Sequence, residues 1–143
     1  MTVNIQQLSD EYLQIWSEGN YDLIDGFYSS DYQSRTGSPF GNDRVGARRQ
    51  AEMFRSAFPD VHWELAEQYM DGDMFVLRYV GEGTNTGGFM GLPPTDKHAR
   101  MNGASFMRMK DGKVVESWEY FDTGGLLMQL GMMPMDMSGE EGL

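Results

Sequence analysis

Cysteine is absent from the 143-residue chain, and histidine occurs only twice, as His62 and His98. The absence of cysteine excludes disulfides, zinc–thiolate sites, iron–sulfur clusters and cysteine nucleophiles. Two histidines are too few for the multi-histidine centres that many metalloenzymes use. We therefore expect no metal centre of that kind in this chain.

Basic residues are also scarce, since 11 lysines and arginines stand against 22 aspartates and glutamates, for a net charge of −11. A chain of this charge repels the phosphate backbone of nucleic acids and the headgroups of anionic membranes. We therefore expect neither a nucleic-acid partner nor a membrane partner. The charge is typical of a protein that electrostatic repulsion keeps in solution.

Long apolar runs are missing as well. No stretch approaches the roughly 20 apolar residues that a membrane-spanning helix needs. The first residues, Met-Thr-Val-Asn-Ile-Gln-Gln, contain neither a basic segment nor the apolar core of a signal peptide. These absences predict a cytoplasmic protein.

The residues that are present suit one folded domain. Hydrophobic residues make up 40% of the chain and aromatic residues 13%, which is enough for a globular core. A chain of this length fits one domain and leaves no room for two. We expect the domain to span residues 1–131 and a loose tail, rich in methionine and glycine, to occupy residues 132–143.

Apolar residues spaced three and four apart predict helices in the first part of the chain. The first helix ends at Gly19, and a short second helix follows. The apolar face of the first helix consists of Ile5, Leu8, Tyr12 and Ile15. A third helix begins at a cap formed by Asn42 or Asp43 and runs to about Ala57, because Pro59 stops it.

Strand-like segments, separated by turn signals, make up most of the second part. A short strand is predicted at residues 32–35, and longer strands at 61–70, 74–83, 100–110 and 113–122. Asp111-Gly112 is a typical two-residue hairpin turn, and a last helix covers residues 124–130. Helices followed by hairpin strands predict an α+β domain, with helices on one face of a curved antiparallel sheet and a cavity on its concave side.

Four segments, in this order, resemble the SnoaL-like polyketide cyclases, or ester cyclases, of the NTF2-like superfamily. They are Ala57-Phe58-Pro59-Asp60-Val61-His62, the stretch from Gly83-Thr84-Asn85-Thr86-Gly87 to Gly91-Leu92-Pro93-Pro94-Thr95, the stretch from Asp111 to Trp118 with Asp122, and Gly125 to Gly131. The resemblance covers about residues 5 to 131. It implies a cone-shaped α+β barrel, in which N-terminal helices close an apolar interior pocket, and a homodimer formed through the sheet.

The resemblance also implies an activity. Cyclases of this family close a ring of a polyketide ester by intramolecular aldol condensation, without a metal or a cofactor. A single aspartate near the end of the last strand acts as acid and base, and Asp122 lies at the matching position. Many relatives have histidine within the Gly-Thr-x-Thr-Gly segment, where this chain has Asn85. Asparagine can hydrogen-bond a carbonyl group but cannot shuttle a proton.

The last predicted strand supports a pocket independently of the family. Side chains alternate along a strand, so Glu116, Trp118, Tyr120 and Asp122 share one face. A mixture of aromatic and carboxylate side chains is typical of a ligand pocket. Loss of hydration in an apolar pocket would raise the pKa of Asp122 and suit it to proton transfer near neutral pH. We expect a small-molecule substrate to contact Trp118, Tyr120, Asn85, His62 and Tyr28.

Other interpretations of these residues stay open. Asp122 can cap the last helix, since Thr123 and Gly124 follow it directly. His62 can be a structural hydrogen-bonding group, and the strand arginines Arg78 and Arg108 need partners, for which Glu116 is a candidate.

Other functions also stay open. Relatives of this fold include hydratases, dehydratases and epoxide hydrolases, and the last of these would need an Asp-Arg-Asp group to which Asp122 and Arg78 could contribute. A domain that binds a small molecule without reaction, or a dimeric interaction module, is the non-enzymatic alternative.

Overall fold

The computed structural model describes residues 4–132, and all structural statements below refer to them. The predicted loose tail therefore lies outside the described residues, apart from Met132. In the described part of the chain, no helix is long and apolar enough to cross a membrane.

Four α-helices pack on one side of the molecule. Helix α1 spans Ile5–Trp16, and a 3₁₀ turn at Tyr21–Leu23 leads directly into the one-turn helix α2, Ile24–Phe27. Helix α3 spans Arg44–Ala57, and α4 spans Thr123–Leu130.

Caps define the start of the two long helices. Asn4 accepts hydrogen bonds from the backbone N–H groups of Gln6 and Gln7 at the start of α1. Asp43 accepts one from the N–H of Gly46 at the start of α3. A side-chain oxygen at this position replaces the partner that the first N–H groups of a helix lack.

Five strands form one curved sheet that does not close on itself, in the order β1-β5-β4-β3-β2. The strands are β1 Tyr28–Ser34, β2 His62–Asp71, β3 Met74–Thr84, β4 His98–Lys110 and β5 Lys113–Phe121. Strands β2 to β5 pair antiparallel, whereas β1 pairs parallel with β5.

Alternation along the strands gives the sheet an inner and an outer face. On β3, for example, Phe75, Leu77 and Tyr79 are buried, while Arg78 between them is exposed. The inner face packs against α1, α2 and α3, and the buried residues there form two hydrophobic clusters. Between the sheet and helices α1 and α3 the core is incompletely filled, which leaves the cavity described below.

The predicted α+β fold is confirmed, and each predicted helix and long strand is present. The short strand predicted at residues 32–35 instead begins at Tyr28, because α2 ends at Phe27 and the chain continues directly in extended conformation. The turn signals in the sequence predict hairpins, which join antiparallel strands, and so they do not indicate the parallel pairing of β1 with β5.

Candidate active site

A cavity of about 330 Å³ lies between the inner face of the sheet and helices α1 and α3. Half of its lining residues are aromatic: Tyr12, Trp16, Phe40, Phe54, Trp63, Tyr79, Phe89 and Phe121. The remaining side chains include Gln50, Met53, Met90, Glu119 and Thr123. A cavity of this size, with apolar walls and a few polar groups, suits a small organic ligand.

Close packing of the strands positions one of the aromatic walls. Trp63 on β2 lies opposite Gly81 on β3. A Cβ atom at Gly81 would lie 2.4 Å from the Trp63 ring, so only glycine leaves room for the indole at this point. The Trp63 N–H group is buried and has no hydrogen-bond acceptor among the described residues.

Glu119 is the only carboxyl group on the cavity wall among residues 4–132, and no histidine, lysine or arginine lines the cavity with it. It lies on the inner face of β5, directly opposite Ser105 on β4. The Ser105 hydroxyl donates a hydrogen bond to Glu119 Oε2. Ser105 is fully buried, whereas Glu119 is partly buried.

The surroundings of Glu119 favour its neutral form. Burial raises the pKa of the Glu119 carboxyl group to about 8, and the hydrogen bond from Ser105 partly offsets this shift. The protonated and ionised forms are therefore both accessible near neutral pH, which is the condition for a residue that must accept and return a proton.

The same apolar environment also raises the pKa of two tyrosines on the cavity wall. Burial raises the pKa of the Tyr12 and Tyr79 hydroxyl groups well above the usual value, and the nearby Glu119 raises each of them further. Both hydroxyl groups therefore stay protonated at physiological pH and can donate hydrogen bonds to a ligand.

Asp122, the predicted acid and base, lies at the start of α4. Its Oδ1 atom accepts a hydrogen bond of 2.9 Å from the backbone N–H of Gly125, so it is the N-cap of this helix. It borders an open groove with Arg78, Tyr120 and Glu119 and is not among the residues that line the cavity. The capping interpretation is thus observed, and the catalytic assignment of Asp122 stays a prediction.

Trp118 and Tyr120 lie on the outer face of the sheet, contrary to the expected interior position. Tyr120 is 57% exposed and packs against Phe106 with ring centroids 6.1 Å apart, while Trp118 contacts Arg108. The mixed composition of this face arises from exposed aromatic and charged side chains that pack on one another. The alternation was predicted correctly, but the opposite face, with Glu119, is the one that faces the cavity.

The other three predicted contacts also lie away from the cavity lining. His62 is exposed beside Glu64, with 3.4 Å between Nε2 and the carboxylate. Tyr28 is buried behind the wall, where its hydroxyl accepts a hydrogen bond of 3.2 Å from Trp16 Nε1. Asn85 is fully buried and holds a loop together through bonds to Ala57, Gly87 and Thr95.

The strand arginines form ion pairs on the outer face. Arg108 pairs at 3.1 Å with Glu116, the candidate partner, and also with Asp73, and these pairs are partly exposed. Arg78 pairs with Glu67 instead of Glu116. Arg78 is not among the residues that line the cavity, and the open groove that it borders contains one aspartate, Asp122, so the described residues do not complete the Asp-Arg-Asp group of an epoxide hydrolase. No group of three or more metal-ligating side chains occurs in this part of the chain either.

A sequence profile of the SnoaL-like polyketide cyclases matches residues 6–130. The chain belongs to this family. Among curated proteins, none matches the sequence. The family is thus established over nearly the whole of the described chain, as the resemblance of the four motifs predicted.

Solved structures with the same fold come from several bacteria. TsrD from Streptomyces laurentii has a TM-score of 0.83 and 23% identity, over 90% of this chain and 96% of TsrD. A proposed polyketide cyclase from Bacillus cereus has a TM-score of 0.80 and 23% identity, over 91% of this chain and 82% of that protein. AclR from Streptomyces galilaeus, a proposed hydroxylase, has a TM-score of 0.78 and 27% identity, over 91% of this chain and 86% of AclR. These similarities place the SnoaL-like chain in the NTF2-like fold.

The cap at α4 can be tested separately from any catalytic role of Asp122. We expect Asp122→Ala to lower the free energy of unfolding by about 1 kcal/mol, because Gly125 N–H loses its acceptor. Asp122→Asn should change it by only a few tenths, since asparagine is a comparable N-cap. Urea denaturation followed by circular dichroism measures both values. Equal losses in the two variants would show that the carboxylate charge, and not the cap, stabilises the helix.

Proposed function

We propose that this protein is a cofactor-free cyclase that acts on a polyketide-like carbonyl compound, with Glu119 as its acid and base. One observation carries the proposal: a single carboxyl group, with a pKa near 8, lies in an otherwise apolar and aromatic cavity. Membership of the SnoaL-like family supports the reaction class.

The proposed reaction is an intramolecular aldol closure. The Glu119 carboxylate removes a proton from a carbon between two carbonyl groups, and the electron pair of that C–H bond delocalises into an enolate. The enolate carbon then attacks a second carbonyl carbon of the same molecule, which forms the new C–C bond and an alkoxide. Glu119 returns its proton to the alkoxide, so the catalyst is restored and all atoms are retained.

The cavity contributes to this reaction in two ways. Its aromatic walls hold the substrate in a folded conformation in which the two reacting carbons lie close together. The entropy cost of bringing them together is then met on binding, which lowers the barrier to the reaction. The neutral hydroxyl groups of Tyr12 and Tyr79 are donors for the enolate oxygen, where negative charge develops. Each of these roles uses only side chains of the cavity wall.

Proton abstraction can be measured without the natural substrate. We would follow exchange of hydrogen for deuterium at the central carbon of ethyl benzoylacetate, an aromatic β-keto ester, by proton NMR in deuterated buffer. The proposal requires exchange that saturates with probe concentration and exceeds the rate in buffer alone. Saturable binding without faster exchange would favour the non-catalytic ligand-binding domain.

We also propose a homodimer formed through the outer face of the sheet. Exposed aromatic side chains of β2, β4 and β5 lie there: Tyr69, Phe106 and Tyr120. Apolar surface of this kind favours contact with another protein surface. Tyr120→Glu is expected to give a monomer in sedimentation equilibrium where the wild-type chain gives a dimer. A monomeric wild-type protein, or a dimer that this variant leaves intact, would refute the proposal.

A further inference from the structure

The two oxygen atoms of Glu119 have different surroundings. Oε2 accepts the hydrogen bond from Ser105. Oε1 has no hydrogen-bond donor among the described residues, yet it is not one of the buried unpaired atoms, so it keeps accessible surface. Glu119 lines both the cavity and the open groove beside Asp122, and Oε1 is the carboxyl oxygen that a ligand can reach, because Oε2 already accepts a hydrogen bond.

Ser105 determines where the proton of neutral Glu119 resides. The buried Ser105 hydroxyl has no other hydrogen-bond acceptor among the described residues, so it donates to Oε2 whether Glu119 is ionised or neutral, and Oε2 is then the carbonyl oxygen of the neutral group. The acidic proton is then carried by Oε1, and the same Oε1 accepts the substrate proton when the group is ionised. We infer that Ser105 is a positioning residue that directs proton transfer to Oε1 of Glu119. This inference rests on the proposed function.

The location of Ser105 supports this role. It is fully buried in the middle of β4, between Leu77 on β3 and Glu119 on β5, where alternation favours an apolar side chain. A buried hydroxyl is stabilised only if it is hydrogen-bonded, and its partner here is Glu119.

A second buried serine provides a matched control. Ser117 lies on the same face of the sheet, on β5, and is also almost fully buried. Its hydroxyl lies 2.5 Å from the hydroxyl of Tyr32, and it makes no hydrogen bond to Glu119 among the described residues. Ser117→Ala therefore removes a buried hydroxyl of the same kind while it leaves the Glu119 carboxyl group in place.

The test combines infrared titration with the exchange assay. The carboxylic acid band of Glu119 is the one that Glu119→Gln removes, and its intensity is followed against pH. In Ser105→Ala the midpoint of this titration should move to higher pH, because the hydrogen bond that favours the ionised form is lost. At pH 7 the exchange rate constant of ethyl benzoylacetate should fall about tenfold. Ser117→Ala should change neither quantity.

The outcomes separate this inference from the proposed function. If no band titrates near pH 8 in the wild-type protein, the proposed role of Glu119 fails. If the band is present but Ser105→Ala leaves its midpoint unchanged, only the inference about Ser105 is overturned. If Ser105→Ala does not fold, the inference about Ser105 is tested on the wild-type protein, by the frequency of the Glu119 C=O stretch. A C=O stretch at a hydrogen-bonded frequency supports donation by Ser105, and one at the frequency of a free acid refutes it.

Discussion

Glu119→Gln is expected to lower the rate constant for deuterium exchange of ethyl benzoylacetate by about 10²- to 10⁴-fold, the usual contribution of a positioned general base. Glutamine has nearly the same size and can accept the hydrogen bond from Ser105 through its amide oxygen, so the cavity keeps its shape. It cannot accept a proton, and the base is lost. Proton NMR of the exchange reaction, at one probe concentration for both proteins, measures the difference between the two rate constants.

The pH dependence of the same reaction identifies the base. Burial raises the pKa of Glu119 to about 8, so the wild-type rate should rise with pH as the carboxylate forms and level off above about 8. In Glu119→Gln this rise should disappear. Asp122→Asn is the matched control, because it removes the other candidate carboxylate and keeps the helix cap. A large loss in Asp122→Asn, with normal activity in Glu119→Gln, would move the acid–base role to Asp122.

Asn85→Ala is expected to lower the free energy of unfolding by about 3 kcal/mol, because it leaves several buried polar groups without partners. The Asn85 amide group donates to the carbonyl oxygens of Ala57 and Gly87, at 3.2 and 2.8 Å. Its oxygen accepts from the N–H and the hydroxyl of Thr95, at 3.0 and 2.9 Å. Asn85 is fully buried, so water cannot replace these bonds in the folded protein.

Thermal unfolding checks this expectation. A loss of this size in a domain of this length lowers Tm by roughly 10 °C. Asn102→Ala is the control, since Asn102 is exposed on β4 and its side chain makes no hydrogen bond among the described residues. A similar, small change in both variants would mean that the loop around Asn85 is held by other contacts. The loop includes Phe89 and Met90, so Asn85→Ala should also weaken binding in the cavity.

The position of Asn85 explains why sequence reasoning assigned it to the pocket. It lies within a segment that resembles a family motif, and an asparagine is a natural ligand contact. In the fold, the backbone of this loop approaches α3 closely: a Cβ atom at Gly87 would lie 1.9 Å from the carbonyl oxygen of Ser56. Backbone groups brought so close need a side chain that pairs with them, and Asn85 has that role.

The sequence by itself determined the fold class, the order and approximate limits of the helices and strands, and the family. These follow from local properties: apolar spacing, capping residues, and turns such as Asp111-Gly112. The alternation on β5 was also correct, since Ser117, Glu119 and Phe121 do share one face. These patterns are short-range, and each is visible within a few neighbouring residues.

Only the tertiary structure decided which face of β5 meets the cavity, and which residue opposes Glu119. Counting back from the turn at Asp111-Gly112 would pair Ser105 with Trp118. A β-bulge shifts the pairing, because Met109 pairs with Val114 while Arg108 pairs with Glu116. The extra residue in β5 brings Ser105 opposite Glu119. Whether a carboxyl group loses its hydration depends on the helices packed over the sheet, and this long-range property distinguishes Glu119 in the cavity from Asp122 at the helix start.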